Sequence, residues 1–220
     1  MFIDHSLTRY LEQVQSNQPT PGGGSVSALA GALAAALAQM VANLTVNKKA
    51  FSNLSPDIQQ QLQQDVEVLK KYQQRLQALV DEDTQAFDEV IKAFKLPKTT
   101  ETEQTIRLKA IQLGYQKALE VPLECAEVCL KVLKTQHQWA MYGNENCVSD
   151  IGVGVLLAYS GVQGALLNVL INLNSIKEDD YRQQVELRVA ALHRKSSDWQ
   201  QKLLAIVYQR LDVVSLMNMV

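Results

Sequence analysis

Positive charge is scarce in this 220-residue chain, with 21 Lys and Arg against 23 Asp and Glu and a formal net charge of −2. Nucleic-acid binders gather a basic face, and anionic membranes attract a polybasic cluster. Neither is present, so nucleic acid and membrane surface are excluded as expected partners. Cysteine is also rare. Cys125, Cys129 and Cys147 form an odd set in a chain too large to depend on disulfides, which fits a reducing, cytoplasmic location. The first ten residues include Asp4 and lack an apolar run, so no signal peptide is expected. No segment alternates with period two for long, which argues against strands. His5, His137 and His193 are scattered, and no group has metal-ligand spacing.

Charge is missing altogether from residues 13–47 and 151–176. Ala, Gly and Ser dominate the first stretch, while Gln163, Asn168, Asn172 and Asn174 interrupt the second. Membrane-spanning helices are usually denser in Leu, Ile and Phe. Both stretches are therefore expected to be helices buried on most sides within a bundle or a subunit interface. Gly31 with Ala35, Gly154 with Ala158 and Gly161 with Ala165 stand four apart, which permits close approach of helix backbones.

Apolar residues recur at three-to-four spacing almost everywhere. Ile3 to Val14 predicts a first helix, and Ser25 begins a second that runs to about Val46. Ser55 and Pro56 open a third that Pro97 stops. Thr100 and Glu103 form a capping box for a fourth, which Pro122 is expected to kink or divide. Ser149 or Asp150 is expected to cap the next, and the last spans about Asp179 to Leu211. The fold class is all-α, with about six helices in one domain over residues 1–220.

Three places carry candidate chemistry. Pro21-Gly22-Gly23-Gly24-Ser25 runs directly into a helix. Its glycines permit positive φ or close ligand approach, and the helix start offers free N–H groups. A plain turn with Ser25 as the N-cap is the other reading. Asp83 falls between Val80 and Phe87 on the apolar stripe of the long helix, whereas Asp81 turns toward the polar face of Gln77, Thr84 and Asp88. A carboxylate aimed at a core either shifts its pKa or finds a dedicated partner, such as an Arg or a helix end. Finally, Asn144, Asn146, Ser149 and Asp150 gather beside a helix start, and Lys48 and Lys49 close the second helix. These residues either line a site, with Lys48 meeting a carboxylate, or simply cap helices.

Together these segments resemble the formiminotetrahydrofolate cyclodeaminase/methenyltetrahydrofolate cyclohydrolase family. The resemblance rests on residues 20–33, 40–45, 79–87, Leu96-Pro97-Lys98, Val121-Pro122-Leu123, 143–146, Ser149-Asp150 and 168–173, in that order. It implies an enzyme acting on the N5–N10 bridge of tetrahydrofolate, with no cofactor beyond that substrate and no metal. It also implies an all-helical homodimer with its folate site near the subunit boundary. Asp83 matches the family's catalytic aspartate. For such a substrate, the backbone N–H groups of Gly23, Gly24 and Ser25 are expected to bind an oxygen of the pterin or glutamate, and Lys48 to meet the glutamate tail. A non-catalytic folate-binding or scaffold protein of the same fold is the alternative.

Overall fold

The computed structural model describes residues 1–213. Among them are seven α-helices, α1 (Leu7–Val14), α2 (Gly23–Thr45), α3 (Lys49–Ser52), α4 (Pro56–Phe94), α5 (Glu101–Tyr142), α6 (Val148–Leu173) and α7 (Asp179–Arg210), with no strand. The additional helix is α3, a single turn after Lys48. Lys48 and Lys49 therefore start that turn and do not close α2. The first helix also begins later than its periodicity suggested. Phe2–Asp4 form a separate 3-10 turn, and Ser6 caps α1 by accepting a hydrogen bond from the Arg9 N–H at 3.3 Å.

Local signals explain several boundaries. Thr100 and Glu103 make the reciprocal capping box that starts α5. Pro56 occupies the first turn of α4, where a missing N–H costs nothing. Pro122 does not divide α5, which runs unbroken through it. Proline leaves the carbonyl four residues earlier without its helical donor. That carbonyl belongs to Ala118, and the Asn172 side chain of α6 donates to it at 3.0 Å. A tertiary contact thus repairs the helix at the point where local rules predict a break.

Helices α2, α4, α5 and α6 pack around one another, and α7 closes against α5 and α6. One cluster of buried apolar side chains, including Leu76, Leu123, Leu133, Val162 and Leu203, draws on all five. Small residues set the α2–α6 spacing. A Cβ on Gly161 would lie 3.0 Å from the Ser27 carbonyl oxygen and 3.3 Å from the Gly31 nitrogen, so the two backbones touch. Gly23–Thr45 and Glu145–Leu173 are long and apolar enough to cross a membrane. In the fold each turns one side into the core and leaves another uncovered. Val26, Leu33, Met40 and Leu44 of α2 are exposed, as are Val153, Leu156, Leu167, Leu170 and Ile171 of α6.

Candidate functional site

The start of α2 abuts the middle of α4, and Asp83 sits at the junction. The first turn of a helix has N–H groups without internal partners. Here the N-cap is Gly22, which has no side chain to supply one. Ser25 is therefore not the cap. It is the third helical residue, and its N–H donates to Asp83 Oδ2 at 3.1 Å. Its hydroxyl pairs with the Tyr10 hydroxyl at 3.0 Å. Burial raises the Asp83 pKa, and the Ser25 N–H bond acts in the opposite direction. The carboxyl thus has both a shifted pKa and a helix end as its partner.

The glycines serve close approach, since none has positive φ among the described residues. A Cβ on Gly24 would fall within the Asp83 carboxyl group, and one on Gly23 would stand 3.0 Å from Asn168 Nδ2. The loop therefore makes room first for the protein's own side chains.

Asp81 is the clear correction to the helical wheel. It is 7% exposed and buried beneath the N-terminal turn, where its Oδ1 accepts a short hydrogen bond from the Phe2 N–H. Its Oδ2 has no hydrogen-bond partner among the described residues. The wheel of α4 assigned that face to solvent because it contains no information about a distant segment folding over it.

A cavity of about 440 Å³ opens beside Asp83, within the range that small-molecule sites occupy. Gly22 and Gly23 line it with Asp83, whereas Pro21, Gly24 and Ser25 do not. Phe87, Tyr115, Asn168 and Asn172 complete much of the wall. These four were not singled out as site residues. The two asparagines gave a signal, standing one turn apart in an otherwise apolar helix. A larger hollow of about 780 Å³ lies between the end of α4 and α5, but most of its wall is apolar. Convergent polar groups beside a half-buried acid of raised pKa favour the smaller one.

Lys48, Asn144 and Asn146 surround a third cavity, of about 350 Å³, with Arg210. It lies at the other end of α2, whose 23 residues at 1.5 Å each put about 34 Å between the two places. One protomer does not bring both groups to one small ligand. Asn144 is largely committed to the fold. Its N–H donates to Thr45 Oγ1 at 2.9 Å, its Nδ2 to the Leu44 carbonyl at 3.2 Å, and its Oδ1 accepts from the Asn146 N–H at 3.1 Å. That last bond caps a 3-10 turn, Glu145–Cys147. Neither Ser149 nor Asp150 caps α6, whose N-cap is Cys147. Asp150 is half-buried in the first turn of α6 and lines neither cavity. Among the described residues no three His, Cys, Asp or Glu side chains converge as a metal set would.

The architecture and sequence have known counterparts. The crystal structure of formiminotetrahydrofolate cyclodeaminase from Thermotoga maritima matches 94% of this chain and 98% of its own, with a TM-score of 0.82 and 28% identity. Methenyltetrahydrofolate cyclohydrolase from Methylorubrum extorquens is 36% identical over 181 residues, which is 82% of this chain and 85% of that protein. Formimidoyltransferase-cyclodeaminase from Rattus norvegicus is 35% identical over 190 residues, 86% of this chain, but the chain spans only 34% of that longer protein. Residues 6–191 match the family model described as formiminotransferase-cyclodeaminase, and the chain belongs to that family.

Proposed function

We propose that this chain is a one-carbon folate enzyme that opens or closes the N5–N10 bridge of tetrahydrofolate, as a methenyltetrahydrofolate cyclohydrolase or a formiminotetrahydrofolate cyclodeaminase. The observation carrying the proposal is the Asp83 carboxyl, half-buried, raised in pKa and held by the Ser25 N–H on a cavity wall. A carboxyl whose pKa is moved toward neutrality accepts and returns a proton more readily than an exposed one. In the hydrolytic direction water adds to the methenyl carbon and gives its proton to Asp83. The bond from that carbon to N5 then breaks, N5 takes the proton from Asp83, and the new hydroxyl releases its remaining proton to water as it becomes the carbonyl of the 10-formyl product. In the deaminating direction N10 attacks the formimino carbon and loses its proton. The departing nitrogen, which enters protonated as the formimino cation, gains that proton and leaves as ammonia, with the positive charge passing to the methenyl product. One acid/base group at one face of the carbon serves both sequences.

Purified protein assayed on 5,10-methenyl- and 5-formimino-tetrahydrofolate is expected to turn over at least one of them. Binding of both without turnover of either would replace the proposal by the non-catalytic alternative. The three cysteines are free, buried thiols, and cytoplasmic location is part of the same reading.

The active form is proposed to be a homodimer. The uncovered apolar stripes of α2 and α6 lie on helices that pack together. Ile171 belongs both to the α6 stripe and to the wall of the Asp83 cavity. A second copy seated on these stripes would cover exposed apolar area and bring the cavity to the subunit boundary. Light scattering at micromolar concentration is expected to give twice the chain mass. Leu33→Glu combined with Leu156→Glu, both away from the Asp83 cavity, is expected to shift the protein to monomer. A monomeric wild type would refute the dimer.

A further inference from the structure

Asn168 and Asn172 stand one helical turn apart on α6, and both line the Asp83 cavity. Their amide nitrogens are already engaged. Asn172 Nδ2 donates to the Ala118 carbonyl, the one released by Pro122, and to the Asn168 carbonyl, each at 3.0 Å. Asn168 Nδ2 donates to the Gly164 carbonyl at 2.8 Å. Reversing either amide would set its oxygen against a carbonyl oxygen, so the orientation of both is dictated by acceptors that need a donor. The consequence is two side-chain oxygens, Asn168 Oδ1 and Asn172 Oδ1, that accept no hydrogen bond among the described residues. Each amide oxygen has two lone pairs. A cavity wall with two oriented acceptors and the rings of Phe87 and Tyr115 suits a flat heterocycle that carries a row of N–H donors along one edge.

We propose that Asn168 and Asn172 are specificity-determining residues that accept hydrogen bonds from the donor edge of the reduced pterin, its 2-amino group and the adjoining ring N–H. The proposal rests on the folate reading above. It assigns recognition of the ring to α6 and leaves Asp83, from α4, to act on the one-carbon unit. A ligand without the 2-amino group leaves an oriented acceptor unpaired in a half-buried wall, and that loss is what discriminates.

Calorimetry on the full chain, with 6-methyltetrahydropterin and its 2-desamino counterpart as probes, tests the assignment. The wild type is expected to bind the amino compound at least about tenfold more tightly, the worth of one hydrogen bond. Asn172→Ala removes the Ala118 partner as well, so circular dichroism is recorded alongside. The helical variant is expected to bind both probes alike. Asn168→Ala, which forfeits only the bond to the Gly164 carbonyl, is expected to narrow the preference. A wild type that binds the two probes equally would overturn the proposal, whatever the variants do. So would variants that lose stability yet keep the full preference, because the asparagines would then serve the fold alone. Folate turnover that persists while the probes bind alike sinks this inference and spares the enzymatic reading. Preference without turnover does the reverse.

Discussion

Asp83→Asn is expected to lower folate turnover about 100-fold or more, the usual worth of a general acid/base, while the helical fold survives. Asn is nearly isosteric with Asp, and its Oδ1 can still accept from the Ser25 N–H that now binds Asp83 at 3.1 Å. What disappears is the exchangeable proton. Stability separates this from simple damage to the site. Burial places the folded-state pKa of Asp83 above its unfolded value, so the native chain holds the proton more tightly. The stability associated with that proton is complete below the unfolded pKa and is lost as pH rises through the folded one. Asn never acquires the charge. Thermal melts should therefore show Asp83→Asn gaining on the wild type in mildly alkaline buffer, with the gap closing as pH falls toward the ordinary carboxylate range. Asp81→Asn is expected to change the rate far less, because Asp81 lies under the N-terminal turn and outside the Asp83 cavity. A larger rate loss at Asp81 than at Asp83 would sink the assignment of the acid/base group.

The contrast between these two aspartates shows where sequence stops being sufficient. Period and punctuation located the helices, because apolar stripes, Pro56 and the Thr100–Glu103 box act locally. The same wheel that aimed Asp83 inward sent Asp81 outward, since a wheel represents one helix and its solvent. Phe2 lies 79 positions from Asp81 in sequence, and no local pattern encodes that contact. Pro122 is a second instance. The break it predicts is repaired by Asn172, 54 residues from Ala118. Asn168 and Asn172 weighed in the sequence as polar interruptions of an apolar helix and as part of a family-like segment, and their role depends on the cavity that α4 and α5 build opposite them. Glycine was legible as a demand for space. What would occupy that space was not.

Gly24→Ala is expected to lower turnover nearly as far as Asp83→Asn, although it adds only one methyl group. A Cβ on Gly24 would occupy the volume of the Asp83 carboxyl group, and backbone on both sides leaves the carboxyl as the part that moves. Its bond from the Ser25 N–H is then lost along with its place on the cavity wall. Overpacking of this kind costs about 1–3 kcal/mol, offset by up to about 1 kcal/mol because alanine favours helix over glycine. The melting temperature is therefore a weak reporter, and turnover is the sensitive one. The neighbouring glycines supply a graded control. Gly23→Ala would press on Asn168 Nδ2 at 3.0 Å, and Gly22→Ala would meet only the Pro19 carbonyl oxygen at 3.3 Å. Activity is expected to fall in the order Gly22, Gly23, Gly24. Non-additivity gives the decisive measurement. If Gly24→Ala acts by displacing Asp83, combining it with Asp83→Asn removes little that the single aspartate substitution has not already removed. The double variant should then turn over within a few-fold of Asp83→Asn alone. Full additivity of the two losses would mean that Gly24 serves catalysis by a route independent of the carboxyl it faces.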